Sequence, residues 1–479
     1  MLTRTYIEKV STIVSGDSIN TRLNPVSELV YGANHTRMLI YFDHSKLKGM
    51  VDDKTYADVS KLRHYLKMTN AGSIDFTQLH ANDISSLSSA EKVRASSFDL
   101  IFFLIPQEWD GGKGFDYTKT MFNKGYYSSN ATNRLVSYDG SNWYQSQNGY
   151  PWKEEGVYSN DTLSLEYDKF GIGDGSSIII GRQHFDIGNE NINVDITETV
   201  NKFISGELKN YGIGIAFTPQ TERLENTVDN YVGFLTNKTN TFFEPYIETH
   251  YDDVIMDDRS NFILGKKNRL YLYCNVGGRL ENLDDIPTCS VNDITYDVKQ
   301  CSKGIYYIDI CLKKGIFKPN TMLYDVWDNL VYQGEKLDAI ELDFVTKDSN
   351  SFFNIGNSIE SSTKLVPSIY GINESEKIFR GDVRKVCIAA RVEYSKNTAE
   401  LVDEMYFRLY IKDGQREIDV IPYEKVNKSY LENYVLVDTS MLIPQKYYID
   451  VKFKYNQEMI MHHNVLSFFV VDNLNNKYA

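Results

Sequence analysis

The residues of this 479-residue sequence best suited to chemistry are acids beside tryptophan: Glu108 and Asp110 flank Trp109, and Glu154-Glu155 follow Trp152. Two carboxylates can hydrolyse a glycosidic bond, one as acid and one as base or nucleophile, and an indole face can stack on a sugar ring. The simpler reading is favoured: Trp109, Trp143 and Trp152 belong to a core and its covering loops, and the acids are solvated. No GxSxG, P-loop, HExxH or EF-hand loop is present. Gly171-Ile-Gly-Asp-Gly-Ser-Ser177 is Gly-rich but has no Lys and opens no helix, so it reads as a surface loop. His462-His463 are adjacent, yet neighbours on a strand point to opposite faces and make a poor metal pair. Asp252-Asp253 and Asp257-Asp258 could attract Ca²⁺ but lack the alternating ligand rhythm, and read as solvated linker charge. No catalytic, cofactor or metal residue is therefore assigned, and the chain is expected not to be an enzyme.

Composition narrows the class. Hydrophobic residues at 42% and charged residues at 24% exclude wholesale disorder. No apolar run is long enough to cross a membrane as a helix. The net charge of −14 argues against nucleic acid as the main partner, since phosphate binding needs a concentrated positive surface. The start, Met1-Leu-Thr-Arg-Thr-Tyr-Ile-Glu-Lys, lacks the basic-then-apolar layout of a signal peptide and argues against secretion. Cys274, Cys289, Cys301, Cys311 and Cys387 form no CxxC and are odd in number, which suits plain buried or half-buried thiols in a reducing compartment.

Strands must position whatever the chain does. There are 35 Tyr and 24 Phe against 10 Pro, an excess that favours strands. Met38–Phe42, Ile101–Ile105, Ser177–Ile180 and Tyr211–Phe217 are apolar runs of strand length. Phe407–Ile411 and Tyr448–Phe453 alternate, and Asp413-Gly414 predicts a hairpin into Ile418–Ile421. Asp328-Asn329 similarly divides Leu323–Trp327 from Leu330–Tyr332. One helix is predicted over Ile196–Ile204, capped by Asp195 or Thr197, with Val200, Phe203 and Ile204 on one face and Gly206 as its stop. Lys54–Met68 is a second candidate, as helix or insertion. Gly212 and Gly214 in a strand signal a bulge or close approach, and Pro245 suggests an edge strand.

An internal repeat organises the second half. Pro319-Asn-Thr-Met-Leu-Tyr-Asp-Val326 matches Pro444-Gln-Lys-Tyr-Tyr-Ile-Asp-Val451 at an offset of 125, and Phe344-Val345 then falls on Phe469-Val470. Upstream, Gly265–Leu270 matches Gly381–Val386 at an offset of 116. Each copy has the size and turn rhythm of an immunoglobulin-like sandwich. The polar stretch from Thr346 to Thr363 reads as the linker between them. The expected domains are 1–252, 253–358 and 359–479, all mostly β: an N-terminal jelly-roll-like sandwich followed by two Ig-like β-sandwich domains.

The N-terminal region also carries a resemblance. Thr36-Arg37-Met-Leu-Ile-Tyr-Phe42-Asp43 stands near its start; Val194-Asp-Ile-Thr197, Asn210-Tyr-Gly212 through Phe217 and Phe242-Phe-Glu-Pro-Tyr-Ile-Glu248 stand near its end. This layout resembles the DNRLRE-type β-sandwich modules, which implies a jelly-roll-like sandwich closed by those strands; residues 50–175 depart from it. Arg37 and Asp43 read either as an ion pair across a strand end or as independent surface charges.

By resemblance, the sequence, rich in Asn, Lys, Tyr and Ile, is similar to virion proteins of tailed bacteriophages, the crAss-like phages in particular. That similarity implies a structural protein of the virion, assembled in the host cytoplasm, acting as a tail or neck (head–tail connection) ring component. Its expected partners are other tail and neck proteins and further copies of itself in a homo-oligomeric ring, with no membrane. The alternative is a receptor- or glycan-binding tail fibre or adsorption protein with possible glycan hydrolase activity.

Overall fold

The computed structural model describes residues 2–32, 35–72, 92–114, 139–169, 177–224, 229–239, 241, 243–347, 365–392, 402, 404–414, 416–429, 432–455 and 458–472. β-Branched and aromatic runs become strands throughout, and the protein is built of β-sandwiches. Two compact units result, one of residues 1–52 with 59–251, the other of 53–58 with 252–479.

In the first unit eight antiparallel strands follow in the order Ile192–Asp195, Leu62–Met68, Tyr246–Tyr251, Leu2–Val14, Thr36–Phe42, Ile213–Phe217, Phe98–Leu104 and Ile179–Phe185. Leu2–Val14 joins the two halves. Leu2–Tyr6 pairs with Tyr246–His250, and after a register break at Ile7/Lys9 the rest pairs with Thr36–Phe42. Such a break lets one strand serve two sheets at a sandwich corner. The two end strands are tied through a side chain: the Gln183 amide donates to Asn191 O (2.8 Å) and accepts from Asn193 N (2.8 Å). That contact blunts edges which would otherwise be free to pair with another chain.

One face of the sheet packs on a three-stranded sheet of Val26–Tyr31, Asp229–Leu235 and Lys92–Arg94. Aromatic rings fill the gap, with Phe98 stacked on Phe185 at 4.9 Å and Tyr31 edge-on to Phe217 at 4.7 Å. The opposite face presents Ile13, Leu39, Ile101, Phe103 and Ala216 to Trp109, Trp143, Trp152, Val157 and Leu163. Gly214 lies under Phe103, where a Cβ would come within 2.1 Å of the ring, and Gly212 (φ +103°) lies against Ile40 O. Gly214 is the close approach expected of glycine in a strand, whereas Gly212 stands one residue before the strand Ile213–Phe217.

Arg37 holds that covering layer in place. It is neither a surface charge nor paired with Asp43, which instead caps Ser45. Its guanidinium is 1% exposed. Nε and Nη2 reach Glu222 at 3.1 and 2.6 Å, Nη1 donates to Gly156 O at 2.7 Å and to Tyr158 O, and Nη2 donates to Asn160 Oδ1 at 2.7 Å. All five N–H donors are thus occupied. Trp143 lies 5.0 Å from the same cation.

The predicted helix forms as Thr197–Ser205, burying Val200, Phe203 and Ile204 and ending at a left-handed Gly206 (φ 77°). Asp195 accepts from Thr197 N, whereas Thr197 Oγ1 accepts from His64 N. Lys54–Met68 is not a helix: the helix lies earlier, at Ser45–Asp52, and Leu62–Met68 is a strand. The alternation of Leu62, His64, Leu66 and Met68 toward the interior has a period of two, which no helix can present. Pro245 does not mark an edge either. It precedes Tyr246–Tyr251, an interior strand, so its missing N–H falls outside the ladder.

Two neutral histidines lie under that helix. His64 Nε2 donates to Asn201 Oδ1 (3.2 Å) and Nδ1 accepts from Thr249 (2.8 Å); His44 Nδ1 accepts from the Asn210 amide (2.9 Å) and its ring packs on Phe203. Burial pushes both down to about 4.

The second unit contains two sandwiches with separate cores. The orders of their five-stranded sheets coincide, and the facing sheet of the second has one edge strand more, Leu365–Tyr370. The first has Phe262–Ile263, Ile340–Lys347, Met322–Asp328, Thr288–Val291 and Ile294–Tyr296 opposite Asn268–Tyr273, Ile305–Ile310 and Val298–Ser302. The second has Glu376–Phe379, Glu458–Val471, Lys446–Tyr455, Glu404–Asp413 and Arg416–Lys425 opposite Leu365–Tyr370, Val383–Val392, Asn433–Asp438 and Asn427–Lys428. In both, the first-named strand runs parallel to the last strand of its copy and the other pairings are antiparallel, as in Ig-like sandwiches. The Asp413-Gly414 hairpin forms as expected. Asp328-Asn329 does not turn its strand back on itself; Val331–Tyr332 pairs with Glu335–Lys336 instead. The stretch between the copies lies outside the described residues from 348 to 364.

The repeat is real at the level of strands but slips by one residue. Leu323 faces Phe344, and Tyr447 faces Phe468, so the structural offset is 124 (447 against 323, 468 against 344) and not 125. Asp325 and Asp450 occupy the same strand but opposite faces, because a slip of one reverses every side chain. Upstream the match is in register, with Leu270 and Val386 both in the core.

Replacing Arg37 by Ala leaves the buried Glu222 carboxylate unpaired and is expected to cost about 3–5 kcal/mol; Arg37→Lys, with three donors in place of a fork, recovers little of it. Urea unfolding followed by Trp fluorescence checks this. The histidines give a pH dependence. Their folded pKa values lie below the unfolded value near 6.5, so their contribution is complete above about pH 6.5 and is lost as pH falls toward 4, by up to about 3 kcal/mol per ring. Subtracting the urea-unfolding stability of a His44→Gln/His64→Gln variant from that of the wild type, at pH 7, 5.5 and 4.5, should isolate this loss from that of the carboxylates.

Candidate functional site

The acid–tryptophan pairs do not assemble an open sugar site. Trp109, Trp143 and Trp152 are 2%, 7% and 5% exposed. Trp109 Nε1 donates to Tyr211 O (2.7 Å) and Trp152 Nε1 to Asn142 O (2.8 Å), which fixes each indole edge inside. Glu154 accepts from Ser159 N (2.7 Å) and from Thr162 Oγ1, at the start of helix Asn160–Tyr167. The Ser159 N–H above all keeps its carboxyl below the ordinary range. Asp110 closes a turn by accepting from Gly112 N (3.2 Å), while Glu108 and Glu155 are exposed. The Gly171–Ser177 run lies outside the described residues up to 176. A shallow depression of about 500 Å³ is lined by Asp99, Tyr167, Ile179, Arg182 and His184. Its charges compensate one another, with Asp99 bound to Arg182 (2.8 Å) and His184 (3.1 Å). Among the described residues no three His, Cys, Asp or Glu side chains are placed to hold a metal ion.

In the acidic segment at 252–258 Asp252 is exposed, as solvated charge would be, but Asp257 and Asp258 are built into the structure. Asp257 is 3% exposed, and burial raises its pKa. Its backbone is a strand-like splint within the second unit. On one side Lys428 N donates to Ile255 O (2.7 Å), Asp257 N donates to Lys428 O (3.0 Å), and Ile255 N donates to Asn427 Oδ1 (2.9 Å). On the other, Asp258 N donates to Arg269 O (2.9 Å) while its carboxylate accepts from Arg269 N (2.9 Å) and Lys428 Nζ (3.1 Å). Ile255 packs among Tyr271, Cys301, Ile305 and Tyr307. One segment thus bonds a strand of each Ig-like copy. Sequence reasoning missed it because the acids look like linker charge, while the partners are backbone groups with no sequence signature.

A polar constellation lies on the outer face of the last sandwich. Asp450, fully buried on this face, accepts from Asn464 N (2.7 Å), His463 Nδ1 (3.0 Å) and Arg408 Nη1 (3.1 Å). Burial opposes its charge, but these three donors hold the carboxyl below its usual range. Arg408 also binds Glu417 (2.8 Å) and Asp419 (2.6 Å). Around this knot stand Tyr410, Tyr423 and Tyr448, with Lys412 4.6 Å and Lys446 5.1 Å from the Tyr448 ring centre and Lys452 3.3 Å from that of Tyr423. His462 turns instead to Phe453, so the adjacent histidines do diverge.

No protein-family model and no curated protein matches the chain. Solved structures that are similar include fibronectin(III)-like modules of Clostridium thermocellum CbhA (10% identity, 46% of this chain, 93% of that one, TM-score 0.16). Tandem Ig repeats of Dlar (11%, 44% and 92%, 0.15) and the endo-β-1,4-mannanase from Thermotoga petrophila (12%, 29% and 28%, 0.17) are others. At such scores the likenesses carry no functional argument.

If the 255–258 splint locks the tandem, amides 255, 257 and 428 should exchange slowly in hydrogen–deuterium exchange. Ile255→Asp, which buries a charge among tyrosines, should release those amides by at least about tenfold while amides 405–411 stay protected.

Proposed function

We propose that this chain is a non-enzymatic structural protein of a tailed-phage virion, a component of a tail or neck ring that joins neighbouring proteins through the faces of its sandwiches. The observation that carries the reading is the splint. By bonding both Ig-like copies, it makes them a spacer that holds binding faces at a fixed separation, as an assembly component requires. The phage assignment itself rests on the sequence resemblance. Assembly in the host cytoplasm, tail and neck partners and a homo-oligomeric ring are parts of the same proposal. The chemistry of the described candidate acids suits it: Glu154 and Asp110 serve local turns and the indoles beside them are buried.

The tyrosine–lysine face of the last sandwich favours a second reading, adsorption to a glycan, since Tyr rings stack on sugars and Lys binds their acidic groups. Antibody labelling and copy counting by mass spectrometry of purified particles separate the two. A ring component should be present in multiple copies around the tail or neck. Absence from the particle, or three copies on a projecting fibre, overturns the ring. Replacing Glu108, Asp110, Glu154 and Glu155 together by their amides should leave infectivity unchanged, and purified protein should release no reducing sugar. A release abolished by those changes would establish a hydrolase, for which a loss of about 100-fold or more is expected.

A further inference from the structure

The two Ig-like copies present the same sheet to solvent with opposite character. On the first, Met322 pairs across the ladder with Val345, Tyr324 with Asp343 and Val326 with Glu341. Met322 is 54% and Tyr324 48% exposed, so an apolar stripe lies open. Its flanks are acidic: Asp343 and Glu341 are exposed and form no ion pair among the described residues. On the second copy the first two of these rows hold Lys446 beside Phe469 and Tyr448 beside Ser467, the third falls at the register break around Asp450, and one row further on Lys452 stands beside Met461, which is 46% exposed. The acids of this face are already engaged: Glu417, Asp419 and Asp450 by Arg408, Glu404 by Lys425, and Glu374, which also attracts Lys446, by the Ser467 N–H and hydroxyl. Lys412, Lys446 and Lys452 rest on tyrosine rings and form no ion pair among the described residues. In a chain of net charge −14, a cationic aromatic patch on one copy and an acidic apolar patch on the other are unlike surfaces of matching sheet geometry.

We propose that the Met322–Tyr324–Val345 face of one chain docks on the Tyr448–Lys452–Met461 face of a second copy of this chain, with Glu341 and Asp343 meeting Lys446 and Lys452. The contact is heterologous, one surface against a different one, and therefore propagates from chain to chain and closes where rotation allows. It rests on the ring reading and specifies the surfaces that the ring would use. Sheets packed face to face at about 10 Å bury such apolar stripes, and the charged rows fix the pairing. Like charge does not oppose this contact, because the cations lie on one side of it and the free carboxylates on the other.

The test uses the full chain and two charge reversals, Glu341→Lys/Asp343→Lys and Lys446→Glu/Lys452→Glu. In sedimentation at about 100 μM and about 0.05 M salt, the wild type should self-associate, and about 0.5 M salt should weaken this at least severalfold. Each variant alone carries like charges on both faces and should be monomeric. An equimolar mixture of the two should recover the wild-type mass, because every acidic face again meets a basic one. Zero-length carbodiimide crosslinking of mixed light and heavy-isotope chains should join Lys446 or Lys452 to Glu341 or Asp343 between chains. Wild type that stays monomeric, variants that associate unchanged, or a mixture that fails to recover overturns the contact. Monomeric wild type that binds an acidic polysaccharide, with binding lost only in the Lys446→Glu/Lys452→Glu variant, assigns the basic face to a glycan instead. A ring found in particles without these crosslinks sinks the contact and leaves the ring reading standing; crosslinks in solution from a chain absent from particles do the reverse.

Discussion

A guanidinium removed from water must find a partner for every N–H, and Arg37 meets that demand with one carboxylate, two backbone carbonyls and one amide. The partners come from two stretches far from Arg37 in the chain: Glu222, and residues 156–160 leading into a helix. Each must reach the same point on the Thr36–Phe42 strand before the charge is satisfied. The layer carrying Trp143, Trp152 and Val157 is thereby seated over Leu39, Ile101 and Phe103 in one position. A hydrophobic side chain at 37 could fill the space but would not select among ways of laying that layer down. Two of the tryptophans that resemble a sugar-binding set, Trp143 and Trp152, are buried for the same reason.

The Ig-like copies show the opposite case, in which one scaffold accommodates a buried carboxylate in two ways. Asp325 lies on the core side of its strand, where Arg259 pairs with it and the Trp327 indole donates to it at 2.7 Å. Asp450 lies on the outer side and collects Arg408, His463 and Asn464 N. The difference is a slip of one residue between equal strands. It leaves the first copy with an apolar outer stripe and the second with a cationic, tyrosine-covered knot. Equivalent sheets have in this way acquired unlike surfaces, which is what a directional, head-to-tail contact needs.

Some of this was legible in the residues themselves. Apolar runs, the Asp413-Gly414 turn and the Gly206 stop act locally, and strands, hairpin and helix end followed from them. The strand-by-strand repeat was legible too, because Gly265 with Leu270 and Gly381 with Val386 keep the same spacing. Its register was not: the Asp-Val identities align at 125, but the core selects Leu323 with Phe344 and Tyr447 with Phe468. Matching letters cannot tell which of two adjacent positions faces inward when both are compatible with a strand.

The sequence by itself determined a mostly β protein, the places where strands turn, and the pairing of its second half into like copies, since propensity and alternation are short-range properties. Only the tertiary structure decided which charges are buried. Arg37 next to a strand end, Asp257 in an acidic run and Asp450 in an alternating strand all have the local appearance of surface residues. Their fates depend on partners 185, 171 and 42 positions away in the cases of Glu222, Lys428 and Arg408. The free energy of a buried charge or backbone group is set by whether such partners arrive, and nothing within a few residues of it records that they do.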